Sequence, residues 1–141
     1  MNTYITHSGI GTEVERINPK GLCNLIKKTE ALQVQIAKDL KKHGKNLDSE
    51  DITLEDFESF DCPITIASEC LNEIAECESF IEISDDGGYR YILFVDQAPW
   101  EYTERERNFS KKDVENYLNL LKDVVPDMEI ENLYIANYIA D

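Results

Sequence analysis

The groups of this chain best supplied for chemistry are its carboxylates. Residues 48–86 hold fourteen Asp and Glu, without one Lys or Arg. At pH 7 ordinary carboxylates are ionised, so the segment carries a charge that nothing within it neutralises. Such residues serve three kinds of chemistry: carboxylate pairs exchange protons, oxygen clusters bind hard cations, and dense surface charge docks a cationic partner. A catalytic pair is a matter of spatial placement, on which abundance alone says nothing. The cation reading lacks its spacing, because Asp48-Ser49-Glu50-Asp51 has neither the loop glycine nor the closing Glu of an EF-hand. Asp85-Asp86-Gly87-Gly88 has the composition of a turn. Docking is the use that density supports.

The remaining candidates are few. His7 and His43 fall in different elements, and neither sits in a nucleophile or zinc motif. The cysteines, Cys23, Cys62, Cys70 and Cys77, contain no C-x-x-C pair and are expected as small buried hydrophobes. Gly9-Ile10-Gly11 begins like a phosphate-binding glycine loop, but Val14 stands where the third glycine belongs, so a plain turn is expected. The expectation is a chain without catalytic activity, cofactor or metal. The enzyme alternative would need an unrecognised carboxylate site, or Cys23 beside His7 or His43.

Charge narrows the partners. The 141 residues carry a net charge of −15, unevenly spread. Residues 1–45 hold eight Lys/Arg against four Asp/Glu, and residues 46–141 hold six against twenty-five. An acidic surface repels nucleic acid and anionic membranes, and attracts basic proteins. No apolar run approaches the ~20 residues of a membrane span, and the N-terminus lacks a secretory pattern. Reduced cysteines in a cytoplasm are therefore expected, a host cytoplasm if the gene is a phage's.

The elements that position these residues follow from periodicity. Residues 2–7 alternate as a strand, and 12–17 are expected to pair back after the glycine turn. Asn18-Pro19 opens a long helix with Leu22, Leu25, Ile26, Thr29, Leu32, Ile36 and Leu40 as its buried stripe, ending near Gly44. A short helix is expected near Thr53–Phe60, and a second from about Thr65 to Cys77 that sets Glu69, Glu73 and Glu76 on its outer face. Residues 79–95 read as a β-hairpin about Gly87-Gly88. Gln97–Tyr102 leaves it as a loop with the lone tryptophan, Trp100. Ser110 and Asp113 form a capping box for a helix ended by Pro126, and 133–139 is a final strand expected beside the hairpin. Together these predict one α+β domain over 1–141: an antiparallel sheet with three to four helices on one face.

Three uses of the acidity compete. Solubility predicts acids scattered evenly, whereas these are concentrated. A nucleic-acid mimic would occupy the cationic groove of a nuclease or effector complex. In this respect the chain resembles, by type alone, the small acidic inhibitors of restriction or CRISPR nucleases carried by phages and mobile elements. An immunity protein or antitoxin would neutralise one basic toxin with the same electrostatics. The expected function is an acidic interaction module that inhibits a basic, nucleic-acid-binding protein. Its expected contacts are Asp48, Glu50, Asp51, Glu55, Asp56, Glu58, Glu69, Glu73, Glu76, Asp85 and Asp86, with Trp100 or Tyr102 as aromatic anchor.

Overall fold

The computed structural model describes residues 2–95 and 109–140, with side chains for 6–95 and 109–136. Trp100 and Tyr102 lie outside the described residues. Four strands, β1 (Asn2–Glu13), β2 (Phe80–Ser84), β3 (Arg90–Val95) and β4 (Glu131–Ala140), form one antiparallel sheet in the order β2-β3-β1-β4. The described helices are α1 (Pro19–Ile26), α2 (Ala31–Lys41), α3 (Glu55–Glu58), α4 (Pro63–Ala75) and α5 (Lys111–Leu118), the last continued by a 3-10 turn over Asn119–Leu121. The predicted α+β class holds.

The hairpin forms as its alternation predicts. Asp85 closes the turn, its Oδ1 accepting from the Gly87 and Tyr89 amides at 2.9 Å. Ile92 and Phe94 join Phe80 and the helices in the main core. Leu93, Tyr91 and Val95 face the other side with Ile81, Ile83, Leu133 and Ile135. Among the described residues that second cluster contains strand residues only, so the helices pack on one face of the sheet.

Three expectations are corrected. Gly9 and Gly11 do not turn the chain: β1 runs straight through them, pairing Gly9 with Val95 on one side and Leu133 on the other. The glycine serves close approach, since a Cβ at Gly9 would lie 1.8 Å from the Phe94 carbonyl oxygen. The final strand therefore borders β1, which stands between it and the hairpin. Third, the long first helix is two. Buried Thr29 turns its hydroxyl onto the Ile26 carbonyl at 2.7 Å, a local bond that competes with the helical ladder.

The helix α4 starts two residues before the expected Thr65, with Pro63 in its first turn where no N–H is needed. It is tied to the sheet by Asn72, which donates to the Phe80 carbonyl at 2.7 Å and accepts from the Phe80 amide at 2.8 Å. Phe80 is 1% exposed, so water cannot replace those bonds. Asn72→Ala should cost about 2–3 kcal/mol in urea unfolding, and Asn72→Asp a comparable amount, because its second carboxylate oxygen would face the Phe80 carbonyl. An Asn72→Asp variant as stable as the wild type would mean that the amide donor is idle.

Candidate functional site

The acidic stretch is not uniformly open. Lys27 pairs with Asp48, Lys20 with Glu50 at 2.7 Å, and Lys45 with Asp56 at 2.8 Å and Asp51 at 3.9 Å. The basic N-terminal part folds back on residues 48–56 and answers much of their charge. The exposed Lys20 and Lys27 pairs contribute little stability, but they set cations against the surface charge. Asp48, Glu50, Asp51 and Asp56 are therefore poorly placed as partner contacts. Glu55 and Glu58 stay exposed, and among the described residues no cation pairs with either.

Asp56 is the most constrained of these groups. Its Oδ2 accepts from Lys45 and from the amide and hydroxyl of Thr53, with the side chain 13% exposed. The Lys45 bond first, and then the Thr53 amide, hold the carboxyl below its ordinary value against the opposing effect of burial. Because the folded value is depressed, the stabilisation is complete above the unfolded carboxylate value and is lost as pH falls through the folded one. The melting temperature should thus decline from about pH 4 downward, and Asp56→Asn should flatten part of that limb. An unchanged acid limb in the variant would remove Asp56 from the account.

The three glutamates expected on one solvated helix face do different work. Glu73 reaches α2, its Oε1 accepting from the Glu30 and Ala31 amides at 3.1 and 3.0 Å. It supplies the N-terminal cap that α2 lacks locally, so its charge is met by unpaired N–H groups and the helix dipole. Glu76 is the left-handed cap residue of α4, at φ 55°. Glu69 is half-buried, and burial, then the charge of Asp61, raises its carboxyl above the ordinary value. Glu69 and Glu73 are thus half-buried, and of the three only Glu76 is exposed. In the hairpin, Asp85 is occupied by its turn and by the Tyr91 hydroxyl at 3.0 Å, while Asp86 is exposed.

A different acidic surface is built by the sheet. Glu13 ends β1 and Glu131 starts β4, and the Gly11–Glu131 pairing brings these ends together. Glu13, Glu15, Asp127, Glu129 and Glu131 line one cleft of about 340 Å³, with Val125. Arg16 beside it pairs with Asp127. Glu15 also lines the neighbouring cleft that holds Glu58, so the carboxylates continue toward α3. Thr12, fully buried, anchors this corner by accepting from the Glu129 amide at 3.2 Å. The sequence does carry a signal for it: acids at every second residue in Glu13–Glu15 and Asp127–Glu131. Only strand pairing across more than a hundred residues makes the two runs one surface.

Cys23 and Cys70 are buried as expected, but Cys62 and Cys77 are half-buried. Among the described residues no group of three or more His, Cys, Asp or Glu is placed to hold a metal ion. No helix among them is long and apolar enough to cross a membrane. No protein-family model matches the chain, and no curated protein or solved structure matches it.

Proposed function

We propose that this chain is an acidic interaction protein that docks on a basic, nucleic-acid-binding partner in the cytoplasm and inhibits it as a nucleic-acid mimic. One observation carries the reading: five carboxylates from the two ends of the chain line a single cleft, and Glu58 extends the line through Glu15. Glu13 and Glu131 stand at paired strand ends, Glu15 and Glu129 lie in the segments beside them, and Asp127 is answered by Arg16. The contact set thus moves from Asp48, Glu50, Asp51 and Asp56, which lysines answer, to Glu13, Glu15, Glu58, Glu129 and Glu131. A nuclease or effector complex with a Lys/Arg-lined groove fits that surface.

Affinity capture from a host lysate at low and high salt, followed by competition with DNA and RNA, tests the reading. The expected result is a basic protein released both by salt and by nucleic acid. A partner that still binds nucleic acid while held would point to the immunity-protein mode instead and would overturn mimicry.

A further inference from the structure

The two edges of the sheet are finished differently. β2 is five residues long and carries Glu82 at its centre. Phe80 at its start gives both its amide and its carbonyl to Asn72 of α4, so part of that edge is already covered. β4 is ten residues long and stands last in the order β2-β3-β1-β4, paired with β1 along its whole length on one side. Among the described residues nothing is hydrogen-bonded to its other side. Alternate residues of a strand direct their N–H and C=O groups to opposite sides, so half of the β4 backbone is offered outward.

Edges of this kind are normally guarded by Lys, Pro, a bulge or a covering element. After Glu131, residues 132–140 hold neither a charge nor a proline, and their pairing with β1 runs without a bulge. Tyr134 in this strip is 73% exposed, more than any other large hydrophobic side chain described. On the helix-free face, Leu133 and Ile135 border the apolar cluster shared with β2 and β3. A second copy of the chain, at a net charge of −15, is repelled by most of this surface. The uncharged strip is where it can approach. We propose that β4 pairs antiparallel with β4 of a second copy, about a two-fold axis perpendicular to the sheet.

Symmetry supplies the match that a foreign strand would have to supply by sequence. The axis sets the helix-free faces of both copies on one side, so Leu133 and Ile135 of each extend the apolar cluster of the other. Antiparallel pairing also sends the two Glu131 side chains to opposite ends of the seam. They then stand roughly 20–30 Å apart at the rise of a strand, well beyond the ~8 Å screening length. The inference stands apart from the proposed docking function, since it uses a backbone edge and no carboxylate contact.

The test uses the full chain, with sedimentation equilibrium and amide hydrogen exchange followed by NMR over a range of concentrations. The mass is expected to rise from 16.2 kDa toward twice that value, and to rise further with added salt, which screens the repulsion of two acidic chains. In dilute solution the β4 amides bonded to β1 should exchange slowly and the alternate ones fast. With concentration the alternate set should slow by roughly tenfold, which requires no variant to fold. Tyr134→Lys, at an exposed site, should weaken dimerisation roughly tenfold and leave the circular dichroism unchanged. A chain that stays monomeric up to about 1 mM leaves the edge to an extended segment of another protein and overturns the proposal. So does a dimer that salt dissociates, one whose alternate β4 amides still exchange fast, or one that Tyr134→Lys forms as tightly as the wild type.

Discussion

Gly21→Ala should destabilise the protein by about 3 kcal/mol or more, although alanine is the better helix former. Gly21 is buried within α1, where a Cβ would lie 1.8 Å from the Asp123 carbonyl oxygen and 2.4 Å from its carbon. These are backbone atoms, which cannot swing aside as a side-chain end would. The same contact is closed by the Asn18 amide, which donates to the Val124 carbonyl at 2.8 Å. Leu22, Leu25 and Ile26 on one side and Leu121, Val124 and Val125 on the other are buried around it. Relieving the clash would separate two parts of one core. Urea unfolding measures the effect; a neutral or stabilised variant would mean that α1 does not approach the 121–124 turn.

The second large effect concerns the carboxylate line. Glu15, Glu129 and Glu131 are exposed, so reversing all three to Lys should leave the core untouched. The net charge falls from −15 toward zero, which relieves self-repulsion, and thermal stability should hold or rise slightly. Binding to a cationic groove should instead fall roughly a hundredfold or more, because three attractive contacts become repulsive ones. The salt dependence of what remains should flatten. The matched control is Asp48→Lys with Glu50→Lys. Those two carboxylates already face Lys27 and Lys20, so their reversal should disturb binding little.

Some of this architecture is written locally in the sequence. The hairpin follows from alternation flanking Asp85-Asp86-Gly87-Gly88, and the fifth helix from a capping box in which Ser110 and Asp113 exchange hydrogen bonds. Both signals lie within a few residues of the structure they specify. The errors share the opposite property. Helical spacing sets Glu73 toward solvent, but its partner is the start of another helix 43 residues away. The glycines of β1 match a turn motif, but the carbonyl that demands them belongs to β3. Lysines 20, 27 and 45 are separated in sequence from the acids they answer, so a charge run counted along the chain overstates the charge of the surface. The carboxylate cleft is not legible locally for the same reason, its two halves lying far apart in the chain.

On the proposed function, the carboxylate line from Glu131 through Glu15 to Glu58 stands in for a nucleic-acid strand. Competition titration tests it most directly: labelled nucleic acid bound to the captured partner is displaced by wild-type protein, by the Glu15/Glu129/Glu131→Lys variant, or by the Asp48/Glu50→Lys control. Displacement by the wild type and the control at similar concentrations is expected, and none by the first variant over the same range. Displacement by that variant at the wild-type concentration, with the control inactive, would contradict it.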